Sequence, residues 1–495
     1  MSKIIIQNGN MCELDLPLKF AQKLYNEFAI RHPNAFYLRT RQRGMQNWDG
    51  KIHYITKTGQ FKIGLLPKVY DMCIEMGIKP KVVDMRQPLP KVSKVVTNIG
   101  KYKLRPEQEK AVKAVINNKI GNTPFHIGVL DYTVNAGKTL IMSSLYLSYK
   151  KQLKTLLITN DSDWLNQARE EFKQYLPGEN ITFVQGKVLN WSNFTIGMVQ
   201  SISRNMRFYQ KELSQIDMVL IDEADQGGSK QYQNVITRLF NTRIRIGLSG
   251  TIYMSKLAKD RVKNMNLECF FGKVLAEFKL KDSIKKGYST KTVVKMVPGK
   301  PWYGNWESDC ISYKEIYDDS ITNCYTAWLM AYNRLLWNLN QGRYPALVVC
   351  KHIAHCENLY KFFKKKLGDA YNIAYVHVNT PSKLRQQIMK DFREGKIDIL
   401  VSTTIIARGK NFPKLKYLLN TASMDSQEKS IQFLGRLVRT DESKNKVYLD
   451  DLHYPGNYLD RHGKHRKQYY QRQELKVILL DKLWKKHPNH SLIKS

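Results

Sequence analysis

The sequence predicts an α/β protein: two tandem parallel-sheet domains, with a small N-terminal α+β domain before them and a basic C-terminal tail after them. Three observations carry this. Short apolar runs alternate with amphipathic helical segments from about residue 100 to residue 450, the pattern of sheets covered by helices on both faces. One such run leads into Thr133-Val134-Asn135-Ala136-Gly137-Lys138-Thr139, and another ends in Asp222-Glu223-Ala224-Asp225. The chain has 495 residues, enough for about three domains that each bury a core.

Residues 1–95 form the expected α+β domain, with β-like runs at 3–6 and 51–55 and helical patterns at 18–25 and 69–74. Within it, Arg39-Thr40-Arg41-Gln42-Arg43 is followed by Asn47-Trp48-Asp49-Gly50-Lys51, so bases alternate with an aromatic before a turn signal. Such a stretch suits phosphate contact plus stacking, with Arg43 and Trp48 as candidate contacts; a solvated loop fits it equally. Pro88 and Pro90, among lysines, mark a linker. A helix then starts at Arg105-Pro106, where proline suits the first turn, and Val112, Val115 and Ile116 give it an apolar face.

The first parallel-sheet domain, 96–280, takes its strands from runs at 125–130, 155–159, 194–199, 218–221 and 244–248. The second, 281–455, takes them from 346–349, 374–378, 397–401 and 417–419. The tail, 456–495, holds ten Lys/Arg against three Asp/Glu and alternates bases with aromatics from Arg461 to Tyr470. A basic helix lying along a nucleic-acid backbone and a solvated helical tail both fit that pattern.

Charge narrows the partners. Eighty Lys+Arg against 43 Asp+Glu give a net charge of +37, which attracts polyphosphate without regard to sequence. No apolar run approaches the roughly 18 residues of a spanning helix, and residues 1–8 lack the length and cleavage site of a signal peptide. Seven cysteines without a C-x-x-C pair agree with a reducing compartment, so a cytoplasm is expected and a membrane partner is not. The cluster Cys350-Lys351-His352-Ile353-Ala354-His355-Cys356 follows an apolar run and precedes a helical segment, so strand-end and core roles account for it better than zinc.

The segment 133–139 has the order strand, tight turn, helix N-terminus. Consecutive backbone N–H groups and the positive helix end meet an anion there, Lys138 neutralises β/γ-phosphates, and the Thr139 hydroxyl can hold Mg²⁺. Tyr132 stands where the phosphate-loop pattern has glycine. Asp222 and Glu223, carried to the end of a buried strand, are suited to hold a cation.

Further fragments fall in a fixed order around these two. Leu104-Arg105-Pro106-Glu107-Gln108 lies upstream, Ser249-Gly250-Thr251 closes a strand, and Gln432-Phe433-Leu434-Gly435-Arg436-Leu437-Val438-Arg439 sits late in the second domain. Together, over roughly residues 100 to 450, they resemble the superfamily 2 helicases, whose two motor domains are RecA-like. The resemblance implies ATP and Mg²⁺ as cofactors. It implies nucleotide contacts from Arg105, Gln108 (reading adenine), Asn135, Ala136, Gly137, Lys138, Thr139 and Gly409. Thr139 and Asp222 would hold the metal, the latter through water, and Glu223 would be the general base. Arg436 and Arg439, three apart on one helical face, would be arginine fingers, with Gln432 in the same group. Asp225, Ser249, Gly250 and Thr251 would couple hydrolysis to domain movement. Gln167, Gln200, Ser201, Lys351 and Thr403 would touch the nucleic-acid strand.

Two positions depart from the family pattern: Asn160 stands for a proline and Asn411 for an aspartate. Short stretches at 47–51, 64–67 and 350–356 are also similar to the T-even phage recombination helicases, in which an α+β domain precedes the motor. The expectation is therefore an ATP-dependent DNA helicase or translocase acting on branched DNA, with single-stranded, forked or four-way DNA as partner and a host cytoplasm as its place if it is of phage origin. An RNA helicase, suggested by D-E-A-D, and a catalytically dead nucleic-acid-binding recruitment protein are the alternatives.

Overall fold

The computed structural model describes residues 2–41, 45–149, 152–186, 188–253, 258–299, 312–407 and 412–480. The chain divides into two compact units, with the boundary between Phe278 and Lys279.

The first unit is built on an eight-stranded sheet. Its order is Val188–Leu189, Ile181–Gln185, Phe194–Met198, Thr155–Thr159, Met218–Asp222, Ile244–Ser249, His126–Tyr132, Val274–Phe278. All pairs are parallel except the outermost, Ile181–Gln185 with Val188–Leu189. The central strands read as continuous apolar runs because helices such as Pro106–Ile116, Lys138–Ser148 and Ser162–Tyr175 cover them. Every expected strand is present, with ends shifted by a residue or two. Ile181–Gln185 and Val274–Phe278 are additions: both lie towards the sheet edges and keep partly exposed faces, so their apolar signal is weak.

The N-terminal segment is α+β, as its mixed pattern predicts. Lys3–Ile6 pairs antiparallel with Met11–Asp15 and parallel with Lys81–Asp84, and Gln60–Lys62 completes a four-stranded sheet. Leu18–Glu27 and Leu66–Glu75 are its longer helices. Its core is continuous with that of the large sheet: Ile4, Ile6, Leu65 and Val69 belong to one buried cluster with Ile127, Val219 and Ile221. A fully buried arginine fastens the two together. Arg245, inside the strand Ile244–Ser249, donates to the Gly9 carbonyl at 2.6 Å, to Asn10 Oδ1 at 2.7 Å and to the Phe270 carbonyl at 3.1 Å. Backbones approach closely at this junction, and a Cβ on Gly64 would collide with the Glu268 and Cys269 main chain.

The second unit has a seven-stranded, wholly parallel sheet. Its order is Ile373–Val376, Ile399–Thr403, Ala346–Cys350, Tyr417–Asn420, Lys446–His453, Lys291–Pro298, Val477–Leu479. The four expected strands are there. The expectation of a solvated tail needs correction. Although Arg461, Lys464 and Arg472 of the helix Asn457–Arg472 remain exposed, that helix packs on the sheet and Val477–Leu479 extends it, so residues 456–480 are not a solvated tail. The cause is Arg466, fully buried in the middle of that helix. Its guanidinium binds Asp451 at 2.8 Å and donates to the carbonyls of Met424 and Leu452 at 3.0 Å.

Candidate active site

Parallel register brings the catalytic candidates of the first unit to one sheet edge. His126–Tyr132 pairs with Ile244–Ser249, which pairs with Met218–Asp222, so the chain leaves all three strands on the same side. The loop after the first strand contains two left-handed residues, Asn135 (φ 64°) and Gly137 (φ 72°). Lys138 then opens the helix Lys138–Ser148 with no side chain capping its N-terminus, which leaves main-chain donors for an anion. Tyr132 is accommodated because it ends the strand rather than joining the turn. It is fully buried and its hydroxyl donates to the Glu107 carbonyl at 2.7 Å.

Gln108 lies against the phosphate loop. It is fully buried, its amide donates to the Ala136 carbonyl at 2.9 Å, and its Oε1 accepts from the Arg105 N–H at 2.8 Å. One donor and one acceptor site of the amide thus brace the phosphate loop from behind. Arg105 reaches the same loop, donating to the Asn135 carbonyl at 3.5 Å.

Lys138 Nζ stands 3.9 Å from Asp222 Oδ1. That oxygen is buried and accepts no hydrogen bond. Burial raises the Asp222 pKa, and Lys138, which opposes the rise, does not cancel it. A buried carboxylate oxygen without a donor, beside a partly exposed Thr139 at the helix start, fits a hydrated Mg²⁺. Glu223 follows in a left-handed conformation, φ 54° and ψ 49°, which is strained for a residue with a side chain. Its Oε2 accepts from Gln226 Nε2 at 3.0 Å.

The expected couplers are in contact. Ser249 Oγ donates to Asp225 Oδ1 at 2.6 Å and lies 3.2 Å from Thr251 Oγ1. Gly250 runs so close to the phosphate loop that a Cβ there would sit 3.2 Å from the Tyr132 carbonyl.

Expected strand contacts are more scattered. Gln200 Nε2 reaches the Asn160 carbonyl at 3.4 Å, and Ser201 Oγ accepts from the Gly186 N–H at 2.9 Å. Gln167 is exposed on the helix Ser162–Tyr175 and pairs with Glu171. Trp48 is half-buried, its indole N–H spent on the Lys51 carbonyl at 2.9 Å. Near it, Arg31, Arg39 and Lys51 line one pocket with the exposed Phe36. Arg43 and Gly409, with Asn411, lie outside the described residues.

In the second unit, Thr403 ends the strand Ile399–Thr403 and is buried, while Lys351 places its ammonium 3.9 Å from the Tyr313 ring centroid. Burial and the nearby Lys429 lower the Lys351 pKa. Arg436 and Gln432 lie on the helix Gln427–Leu437, where the Gln432 amide donates to Glu428 at 3.3 Å. Arg439 falls beyond that helix, which is capped at Val438, so the expected shared helical face is not formed. Its position is set by the main chain, the Arg439 carbonyl accepting from Thr290 Oγ1 at 3.0 Å. The Cys350–Cys356 cluster has the core role expected of it. His355 is buried against the Tyr317 hydroxyl at 3.0 Å, Cys356 points at the Val401 carbonyl, and among the described residues no three ligand-type side chains gather.

Two family models match these regions in order. The first, "Type III restriction enzyme, res subunit", covers residues 101–254 and so contains the phosphate loop, Asp222-Glu223 and Ser249-Gly250-Thr251. The second, "Helicase conserved C-terminal domain", covers residues 329–441 and contains Gln432, Arg436 and Arg439. The chain belongs to the superfamily 2 helicases. Among curated relatives of this superfamily 2 helicase, the putative ATP-dependent helicase IRC3 of Saccharomyces cerevisiae is 23% identical over 70% of the chain and 51% of its own length. Putative helicase 22 of Sulfolobus islandicus filamentous virus is 22% identical over 71% of the chain and 64% of its own length. The chain thus spans about half to two thirds of these relatives. The crystal structure of T4 UvsW aligns over 97% of the chain and 98% of its own, with 19% identity and a TM-score of 0.44. No helix among the described residues is long and apolar enough to cross a membrane.

One residue of the site has no warning in the sequence. Gln226 touches Glu223 and, from the neighbouring strand end, Asn160. Its only textual signal is that it follows D-E-A-D.

Proposed function

We propose that the protein is an ATP-dependent DNA helicase or translocase that remodels branched DNA, hydrolysing ATP to ADP and phosphate under stimulation by nucleic acid. The observation that carries it is the juxtaposition, at one sheet edge, of an anion-binding loop, the Lys138 ammonium, an Asp222 oxygen without a donor, and Glu223. Lys138 and the loop N–H groups would neutralise and align the phosphates. Thr139 and Asp222 would hold Mg²⁺, which supplies further charge neutralisation when bound. Glu223 would take the proton of the attacking water. Arg436, Arg439 and Gln432 are assigned to the γ-phosphate on the strength of their motif.

DNA is favoured over RNA by Gln432-Phe433-Leu434-Gly435-Arg436, which stands where the RNA-acting D-E-A-D group has His-Arg-x-Gly-Arg. The net charge of +37 supports a large, salt-sensitive affinity for either. A cytoplasm is the proposed location, that of a host if the protein is of phage origin.

ATPase and unwinding assays on single-stranded, forked, four-way and RNA substrates test this, with Glu223→Gln as the control. We expect the largest stimulation by branched DNA. Glu223→Gln should bind ATP normally while turnover falls about 100-fold or more, because the base is lost and the metal site kept. Preferential stimulation by RNA would transfer the protein to the RNA helicases, and wild-type protein that binds ATP without turnover on any substrate would make it a recruitment protein.

A further inference from the structure

Asn160 departs from the family proline, and its side chain is engaged with the catalytic machinery. The strand Thr155–Thr159 pairs in parallel with Met218–Asp222, in the register Ile158 with Ile221. Two residues beyond that pair on each strand lie Asn160 and Glu223, so the sheet itself sets them side by side. The space is bridged by Gln226: its Nε2 donates to Glu223 Oε2 at 3.0 Å, and its Oε1 accepts from Asn160 Nδ2. The amides thus run in series, Asn160 to Gln226 to the carboxylate. Asn160 is held in turn by Gln200, which donates to its carbonyl at 3.4 Å. The far end of the series is open: Asn160 Oδ1 and Gln200 Oε1 are buried without hydrogen-bond partners. A proline at 160 could provide none of this, because it has no side-chain donor.

We propose that Asn160 and Gln226 are positioning residues that restrain Glu223, and that nucleic acid bound along the segment 160–167 and Gln200 relaxes the restraint, so that hydrolysis depends on the strand. This rests on the proposal that Glu223 is the base. A carboxylate that accepts an amide hydrogen bond and is held in a strained backbone conformation is less free to approach water and less basic. Drawing Asn160 or Gln200 towards a base would satisfy the open acceptors with its N–H donors and loosen the Gln226 contact, without moving the phosphate loop.

The test compares kcat and KM for ATP, with and without saturating single-stranded DNA, in Asn160→Pro, Gln226→Ala, the double variant and Glu223→Gln. Asn160→Pro restores the family residue, and the strand residue Thr159 before it already has the extended backbone that proline demands. Each single variant should raise DNA-free kcat about fivefold, the factor matching one net hydrogen bond. DNA-stimulated kcat should stay within about twofold, KM should be unchanged, and the double variant should match the singles because the two residues act in series. Equal losses with and without DNA, an unchanged stimulation ratio, or additive effects would each overturn the tether while Glu223→Gln remains inactive. Turnover persisting in Glu223→Gln would instead overturn the assignment of the base.

Discussion

Two buried aspartates of two parallel sheets, Asp222 at the end of its strand and Asp451 inside its own, behave in opposite ways. Asp222, in the first unit, has an oxygen with no donor and an ammonium only at 3.9 Å. Asp451, in the second, is fully buried and saturated: it accepts from Arg466 at 2.8 and 3.0 Å, Tyr470 at 2.8 Å and Asn420 at 2.8 Å. The two buried carboxylates thus differ in how many donors surround them. An under-satisfied buried carboxylate is costly and persists where a ligand repays it; a saturated one holds elements together.

Three changes would break or sharpen this contrast. The largest effect is expected for Asp222→Asn. Turnover should drop about 100-fold or more as the metal site is lost, while the thermal midpoint should hold or rise, because a poorly compensated buried charge has been removed. A lowered midpoint would show that Asp222 is structural after all. Asp451→Asn should do the reverse, leaving Arg466 buried without its carboxylate. We expect a loss of about 3–5 kcal/mol in denaturant unfolding of the second unit, with nucleotide binding by the first unit retained; a variant of wild-type stability would remove the distinction.

The smallest effect concerns pH. Burial pushes the His355 pKa down to about 3 and that of His462 down to about 4, both in the second unit. The unfolded chain therefore takes up these protons first, near pH 6.5, and stability falls as pH drops from there towards 4. The loss should reach about 2 kcal/mol per histidine by pH 4.5. Hydrogen exchange at pH 6.5 and 4.5 should show protection lost first in the second unit; earlier loss in the first would contradict it.

What was legible in the residues divides along the same line. Apolar runs announce the central strands because helices bury both of their faces, and the left-handed Gly137 before Lys138 announces the phosphate loop. Lys446–His453 escaped because its two central aspartates, Asp450 and Asp451, read as a loop until Arg334 and Arg466 neutralise them. The basic tail misled for the matching reason: Arg466 adds to a charge count but spends its charge inside. Contacts between distant positions were hidden altogether. Nothing local says that Gln108 turns its amide onto Ala136, or that Asn160 meets Gln226 across the sheet edge.

Arg245 bears on how the molecule can be divided in the laboratory. Burial lowers its pKa to about 9, and two of its three acceptors belong to Gly9 and Asn10. A fragment begun near residue 96 would expose a guanidinium stripped of those acceptors, together with the apolar surface that Ile4, Leu65 and Val69 cover. Recombinant expression of the motor alone is thereby set against solubility, whereas a cut at the boundary after Phe278 spares this junction.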